Sequence, residues 1–268
     1  MDINQVFNAD CLEVMKNIIS AESIDLIVTD CPYSVIAGGV RVVEEGKIDY
    51  SITDPKGCLG RGRIVVSDGT NCSNKWLKKD QTSIPSAVKN GKMFEHNDIE
   101  FPEWLPELYR VLKKGSHCYI MINGRNLKEL QDEAEKVGFE YQNLLIWEKG
   151  NFTPNKYYMQ GAEFILMLSK RPARNINDMG VPNILKIPNT IGKKAHPTEK
   201  PVELMQILVE QSSNKGDIVL DPFAGAGSTL VASKKTGRNY IGIEIDKKYF
   251  DIAIKRLEKK ETEELKLF

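Results

Sequence analysis

Strand-length apolar segments alternate with segments of helical periodicity along most of this chain, and that alternation limits the folds open to it. The run "IDLIVTD" (24–30) has the pattern of a buried strand, and "KPVELMQILVEQS" (200–212) has that of a helix. Such alternation predicts a mostly parallel sheet with helices covering both faces. Two apolar segments, "YQNLLIWEKG" and "AEFILMLSK", follow each other without a helix between them, which predicts an antiparallel hairpin at one edge.

Several of the predicted strands end at an acidic residue. These residues are Asp10, Asp30, Asp221 and Glu244. Turn chemistry often places an acid after a strand, so one such residue alone carries little weight. In an open parallel sheet the carboxyl ends of the strands share one edge, and ligands bind there. The joint pattern therefore predicts a ligand site lined by carboxylates.

Composition excludes several classes of protein. The 268 residues contain 37 Lys and Arg against 37 Asp and Glu, so the overall charge favours no polyanionic partner. No apolar run approaches the roughly 18 residues of a membrane span, and the N-terminus has no signal-peptide pattern, so we expect a cytoplasmic protein without membrane contact. The 5 cysteines and 3 histidines are scattered with no CxxC pair, so we expect neither a disulfide framework nor a metal site.

Two segments interrupt the alternation. Residues 34–100 are glycine-rich and show no clear period, which is typical of an inserted module or a long functional loop. Residues 149–200 contain nine Lys and Arg and three Asp and Glu, a local excess of positive charge in a neutral protein. With Tyr157 and Tyr158, this excess favours a surface that faces a polyanion, although a solvated loop has the same composition.

The segment "DPFAGAGST" (221–229) follows a predicted strand and opens a predicted helix. Its glycines allow a sharp turn and a close approach to a ligand, and the free N–H groups at the helix start favour a negative group. The spacing is neither the GxGxxG of dinucleotide loops nor a phosphate loop ending in GKS or GKT. The next strand ends about twenty residues later at Glu244, which is the place of a ribose-binding acid in nucleotide-binding sheets. We therefore expect an adenosine-type cofactor.

At this point the chain resembles a known family. "DCPY" (30–33) is similar to the catalytic (D/N/S)-P-P-(Y/F) motif of exocyclic amino-methyltransferases, and "DPFAGAGST" to their S-adenosylmethionine loop. "HPTEKPVELMQILV" (196–209) is similar to the helix before that loop, and "NADCLEVM" (8–15) to their cofactor-adenine strand and helix. Because the catalytic motif precedes the cofactor loop, the chain resembles the beta group of DNA amino-methyltransferases.

The resemblance implies an α/β fold, a circularly permuted Rossmann-like methyltransferase. Its sheet would be mostly parallel and seven-stranded, with an antiparallel edge hairpin and helices on both faces. Residues 1–33 and 101–268 would form the catalytic domain. Residues 34–100, which the resemblance does not cover, would form an inserted target-recognition region, and the basic loop region 150–195 would also face DNA.

The resemblance also implies a role for each residue of the catalytic motif. The Asp30 carboxylate and the Cys31 carbonyl would accept the two hydrogens of a base amino group. Pro32 would hold the turn rigid, and Tyr33 would stack on a base extruded from the duplex. The family usually has proline where this chain has Cys31, so some rigidity is lost. We expect the Cys31 thiol to be a bystander, since cytosine-C5 enzymes carry proline before their cysteine.

For the cofactor, the resemblance implies that Glu244 binds the ribose and that Asp10 binds the adenine amino group. Asp10 also has the position of a simple helix N-cap. The remaining expected cofactor residues are Cys11, Thr198, Lys200, Asp221, Pro222, Phe223, Gly225, Gly227, Ser228, Thr229 and Ile245.

The expected activity is methylation of adenine N6 in double-stranded DNA with S-adenosyl-L-methionine as cofactor. Aspartate at position 30 favours adenine by family tendency, and cytosine N4 is the alternative. A non-catalytic nucleic-acid-binding relative and a nicotinamide-dependent oxidoreductase are alternatives from other classes. A homodimer and a cognate restriction nuclease are partners that the resemblance leaves open.

Overall fold

The computed structural model describes residues 2–32, 99–153, 157–189 and 199–258, together with the backbone of two short strands between 41 and 49. The chain divides into two compact units. The first unit comprises Met1–Pro32, Ile99–Asn151 and Ala162–Phe268, and the second comprises Tyr33–Asp98 and Phe152–Gly161. The expected catalytic domain thus falls mostly within the first unit, and the assignment of 34–100 to target recognition stays a prediction.

Helices and strands alternate as the sequence patterns predict. The strands are β1 (Gln5–Phe7), β2 (Ile24–Asp30), β3 (Arg41–Glu44), β4 (Lys47–Asp49), β5 (Leu112–Ile122), β6 (Glu140–Thr153), β7 (Gln160–Ser169), β8 (Ile184–Lys186), β9 (Ile218–Asp221) and β10 (Asn239–Ile243). The helices are α1 (Cys11–Asn17), α2 (Phe101–Val111), α3 (Leu127–Val137), α4 (Val202–Ser212), α5 (Ser228–Lys235) and α6 (Lys247–Glu258).

One sheet runs in the order β1-β10-β9-β2-β5-β7-β6-β8, and β3 pairs with β4 in a separate antiparallel ribbon. The pairs β1–β10, β10–β9, β9–β2, β2–β5 and β6–β8 are parallel, whereas β5 and β7 are antiparallel. The expected fold class, a mostly parallel α/β sheet with an antiparallel part, is confirmed.

The resemblance predicted seven strands in this sheet, whereas the described residues form eight. The extra strand is β8, which pairs with β6 and so lies outside the predicted edge hairpin. Only the middle of its three residues, Leu185, is buried, so the segment has too short an apolar signal to be recognised in the sequence.

The central strands of the sheet are buried on both faces. Leu26 and Val28 of β2 belong to the same core cluster as Leu204 and Leu208 of α4. Ile27 points to the opposite face of the strand and is also fully buried. Helices α4, α5 and α6 contact one another in turn, as do α1, α2 and α3. Within the described ranges, no helix is both long and apolar enough to cross a membrane.

A buried carboxyl group ties the carboxyl end of β9 to that of its neighbour β2. Oδ1 of Asp221 accepts a hydrogen bond from Oγ1 of Thr29 at 2.8 Å and another from the Phe223 amide at 3.2 Å. Burial raises the pKa of Asp221 to about 6, although hydrogen bonds from Thr229, Thr29 and Phe223 act in the opposite direction. The hydrogen bond between Thr29 and Asp221 holds Thr29, the residue before Asp30, against the start of the glycine loop.

Because the pKa of Asp221 is raised on folding, the free energy of unfolding should depend on pH. Between about pH 4 and pH 6 the folded protein keeps the Asp221 proton while the unfolded chain releases it, so this contribution to stability is lost as pH rises through that window. Asp221→Asn cannot titrate and should avoid that loss, which is about 3 kcal/mol for a shift of about two units. Urea unfolding at pH 4, 5, 6 and 7 measures the difference.

The control for this comparison is Asp132→Asn, which removes an exposed carboxylate from α3. Its free energy of unfolding should follow the parent across the same pH range. If the parent and Asp221→Asn lose stability in parallel between pH 4 and pH 7, then Asp221 does not titrate as the structure requires.

Candidate active site

Asp30 ends β2 at the edge of the sheet where β9 delivers Asp221. Its Oδ2 lies 2.5 Å from Nζ of Lys200, a residue just before α4. The carbonyl of Lys200 accepts a hydrogen bond from Oγ of Ser228 at 2.9 Å. Lys200 therefore contacts both Asp30 of the predicted catalytic motif and Ser228 after the glycine loop, two segments almost two hundred positions apart that the sequence predicted to lie together.

A second carboxylate belongs to this cluster, and sequence reasoning missed it. Oε2 of Glu163 lies 3.6 Å from Nζ of Lys200, and Oε1 lies 3.0 Å from Nζ of Lys149. Asp30, Lys200, Glu163 and Lys149 thus form a row of alternating charges, which we call the charge row. The side chain of Lys200 is only 8% exposed, so its charge is poorly screened by water.

The antiparallel pairing of β7 explains why Glu163 reaches the site. Asp30 pairs with Met121 of β5, and Met121 pairs with Ile165 of β7. Since β7 runs in the opposite direction, its amino end lies where β2 and β5 end. The signal available in the sequence was a single acid at the start of the apolar run "EFILMLS", but the direction and register of the pairing were needed to interpret it.

The environment shifts the pKa values of both carboxyl groups. Burial raises the pKa of Asp30, and the nearby Glu163 adds to this effect, while the ammonium of Lys200 partly opposes it. Burial also pushes the pKa of Glu163 upward, but the charges and hydrogen bonds of Lys200 and Lys149 outweigh burial and hold it below its usual range. The ionised form of Asp30 therefore depends on a neighbouring cation.

Cys31 is buried, and its Sγ donates a hydrogen bond to the carbonyl of Met121 at 3.5 Å. Burial, followed by the charge of Asp30, raises the pKa of this thiol well above its usual value. A thiol that stays protonated is a poor nucleophile, which supports the interpretation of Cys31 as a bystander. Pro32 follows half-buried, whereas Tyr33 lies outside the described residues.

The glycine loop has the backbone geometry that its sequence predicts. Gly225 and Gly227 have φ values of +52° and +77°. Residues with a Cβ adopt such positive φ values only at an energetic cost, whereas glycine adopts them readily. A Cβ at Gly227 would lie 3.0 Å from the Cβ of Ala253. Gly227 caps α5, and the first two helical residues, Ser228 and Thr229, are buried. The loop therefore leads directly into the start of α5, where the first N–H groups of a helix lie.

Glu244 joins three segments of the predicted cofactor site. Its Oε2 accepts the Gly225 amide at 2.7 Å, and its Oε1 accepts the Asp246 amide at 2.8 Å. Its own amide donates to the carbonyl of Phe7 at the end of β1. Ile245, the next residue, is exposed.

Asp10 has the N-cap position that the sequence left open as an alternative. Its Oδ1 accepts the amides of Leu12 at 2.7 Å and Glu13 at 3.3 Å, which caps α1. The next residue, Cys11, is buried, and burial raises the pKa of its thiol to about 12. The structure thus shows a capping role for Asp10, and a contact with adenine stays a prediction.

Two further residues that the sequence predicts at the cofactor, Pro222 and Phe223, differ in exposure. Pro222 is buried, while Phe223 is partly exposed and packs edge-on against Trp104 with ring centroids 5.3 Å apart. Thr198 lies outside the described residues.

Across the part of the chain that the structure describes, no group of three or more His, Cys, Asp or Glu side chains could hold a metal ion.

Comparison with known proteins adds an independent finding. Residues 24–255 match the family model described as DNA methylase, N6_N4_Mtase, and this match spans most of the chain. The chain is 29% identical over 278 residues to the Type II methyltransferase M.HinfI of Haemophilus influenzae, which covers 95% of this chain and 68% of the relative.

Two other similarities agree with this finding. The chain is 30% identical over 253 residues to the Type II methyltransferase M.HpaI of Haemophilus parainfluenzae, covering 82% of this chain and 71% of the relative. Its fold is similar to that of the M1.HpyAVI–SAM complex, with a TM-score of 0.61 and 24% identity over 94% of this chain and 98% of the other. The protein therefore belongs to the DNA methylase family, S-adenosylmethionine-dependent enzymes that methylate amino groups of DNA bases.

Proposed function

We propose that this protein methylates the N6 amino group of adenine in double-stranded DNA. The observation that carries the proposal is the position of Asp30, which ends β2 beside the glycine loop with its carboxylate held by Lys200. Aspartate at the first motif position favours adenine by family tendency. Cytosine N4 is the second candidate, because the matched family contains both kinds of enzyme.

The chemistry of the target explains why an acid is needed. The lone pair of a base amino group is delocalised into the ring, which makes the nitrogen a weak nucleophile. The Asp30 carboxylate and the Cys31 carbonyl are two acceptors at the end of one strand, and together they would draw the nitrogen toward a pyramidal form. Asp30 would also stabilise the positive charge that develops on this nitrogen, since fixed charges act strongly in a partly desolvated site.

The cofactor residues fit an adenosine-type ligand with a carboxylate end. S-adenosylmethionine supplies the methyl group when it is bound. Glu244 would accept ribose hydroxyls, and Asp10 would contact the adenine amino group. Gly225 and Gly227 permit close approach of the backbone, and the start of α5 would favour the methionine carboxylate.

The DNA contacts belong in our proposal to the second unit and the basic loop region. An adenine inside a duplex must be extruded to reach Asp30, and stacking on Tyr33 would offset part of the unpairing cost of a few kcal/mol. Phe152, Tyr157 and Tyr158 are exposed in the second unit, as a surface for stacking on bases requires. Residues 34–100 would supply the recognition of sequence. A homodimer, a cognate restriction nuclease and a cytoplasmic location stay predictions from the sequence.

The first test of this proposal is Asp30→Ala. Without the carboxylate, methyl transfer to duplex DNA should fall by roughly 100-fold or more, because one acceptor and the nearby negative charge are lost. Binding of S-adenosylmethionine, measured by calorimetry, should stay within about twofold of the parent. Nucleoside mass spectrometry of the DNA product identifies the base that is modified.

Each outcome of this test has a separate meaning. With the parental protein, N6-methyladenine in the DNA supports the proposal, N4-methylcytosine supports the second candidate, and unmodified DNA with intact cofactor binding indicates a non-catalytic relative. A parental rate of methyl transfer in Asp30→Ala would contradict the role of Asp30. Affinity for a nicotinamide cofactor instead would indicate an oxidoreductase. The control is Asp132→Ala on the exposed face of α3, which should retain the parental rate.

The second test concerns the cofactor site. Glu244→Gln keeps one oxygen, which can accept one of the two amides that the carboxylate now holds, and removes the charge that would bind ribose hydroxyls. Loss of a charge-assisted hydrogen bond of about 1.5–3 kcal/mol should weaken S-adenosylmethionine binding by about tenfold or more. Glu129→Gln, at an exposed position of α3, is the matched control. Equal affinity in both variants would contradict the assignment of Glu244.

A further inference from the structure

The charge row contains two residues, Glu163 and Lys149, that the proposed activity does not use, and it gives Lys200 a contact that a cofactor residue does not need. The ammonium of Lys200 lies 2.5 Å from Asp30 and 3.6 Å from Glu163, so it belongs mainly to Asp30. Glu163 is held from its other side by Lys149 at 3.0 Å. All four side chains come from the first unit, on β2, β6, β7 and the segment before α4.

We propose that Lys200 is the counter-ion and positioning residue of Asp30, and that Glu163, anchored by Lys149, is the second carboxylate that limits how tightly Lys200 holds Asp30. This inference rests on the proposed function, because it concerns the protonation and orientation of the acceptor for the target amino group. It differs from the cofactor contact that the sequence led us to expect for Lys200.

The first argument is electrostatic. A carboxyl group in a buried position takes up a proton more readily, and a protonated Asp30 would present an O–H donor to a target amino group that needs an acceptor. An opposite charge within hydrogen-bond distance keeps the group ionised. Lys200 is the cation that the structure places against Asp30, and its own burial prevents water from screening the contact.

The second argument is geometric. The ammonium binds Oδ2 of Asp30, and Oδ1 accepts no hydrogen bond from any residue in the described ranges. A contact on one oxygen fixes the rotation of the carboxylate and directs the other oxygen to an incoming donor. The backbone of Lys200 is fixed at the same time, because its carbonyl accepts the hydroxyl of Ser228.

The third argument concerns the strength of the pair. Lys200 with Asp30 alone would form a tight pair that competes with any donor approaching the carboxylate. Glu163 shares the ammonium and weakens that competition, and Lys149 prevents Glu163 from drawing the ammonium away entirely. The row carries two positive and two negative charges, so it adds no net charge to the site.

Other groups that face Asp30 must be separated from it in any test. Asp221 accepts a hydrogen bond from Thr29, the residue before Asp30, and burial raises the pKa of Asp221 to about 6. Cys31 and Cys118 are buried thiols whose pKa values burial raises far above neutrality, so they stay uncharged. A rate profile alone could therefore mistake the titration of Asp221 for that of Asp30, and a measurement on the Asp30 carboxyl itself is required.

The experiment measures the titration of the Asp30 carboxyl by 13C NMR in the full-length protein, with the signal assigned by its absence in Asp30→Asn. Lys200→Met should raise the titration midpoint by about one pH unit or more, since an opposite charge within a few ångströms lowers a carboxyl pKa by about 1–3 units. Lys200→Arg should restore most of the shift. Glu163→Gln should move the midpoint in the opposite direction, because it removes a negative charge and leaves Lys200 to Asp30.

The matched controls are Lys186→Met and Glu148→Gln, which break an exposed ion pair of 3.8 Å on the neighbouring strands β8 and β6. Neither should move the Asp30 midpoint. In parallel, the acid limb of the methyl-transfer rate should shift in the same direction as the midpoint in each variant. Binding of S-adenosylmethionine should stay within about twofold of the parent in Lys200→Met.

The inference is overturned if Lys200→Met leaves the midpoint unchanged, or if it weakens cofactor binding by tenfold or more without moving the midpoint. It is also overturned if Glu163→Gln raises the midpoint. If Lys200→Met fails to fold, Lys200→Arg and Glu163→Gln still test it. Because NMR titration requires no turnover, an inactive parent would contradict the proposed function and leave the test of the ion pair intact.

Discussion

The contact between Lys200 and Asp30 is the interaction on which the rest of the site depends. This contact joins the end of the central strand β2 to the segment before α4. The carbonyl of Lys200 also accepts a hydrogen bond from Ser228 at the start of α5. The Thr29–Asp221 bond joins the same two regions one residue away. Together these bonds hold the predicted catalytic motif, from the first eighth of the chain, against the predicted cofactor loop from its last fifth. Methyl transfer requires that proximity, because alignment of the reacting groups is a large part of the rate enhancement.

Local patterns in the sequence were sufficient for most of the elements and for the edge at which the site lies. The run ending at Asp30, the glycine loop and the acid at Glu244 could each be assigned to a strand end or a helix start from periodicity and turn chemistry. The positive φ values at Gly225 and Gly227 follow from the same reasoning. What these segments share is that their role depends on neighbours close in the chain or on the parallel order of the strands.

The features that could not be predicted depend on lateral register. Glu163 reaches the site only because β7 runs antiparallel to β5 and pairs Ile165 with Met121. The strand β8 is defined by its pairing with β6. It could not be predicted, because three residues with one buried side chain carry no periodic signal. Asp10 illustrates a different limit, because an acid after a strand can serve as a ligand group or as a helix cap, and the sequence favoured the ligand role while the structure shows the cap.

Placing four charges near the end of β2, where Lys200 is buried and the other three are partly buried, contributes little to stability. Removing ions from water costs several kcal/mol for each ion, and attraction between partners returns about that amount, so well-packed apolar residues would serve the fold equally well. The charge row is better explained by the reaction. An acceptor that must be ionised in a desolvated position needs a cation, and a cation that must not block the acceptor needs a second anion. Lys200 and Glu163 satisfy these two requirements in that order, and Lys149 balances the charge that Glu163 introduces.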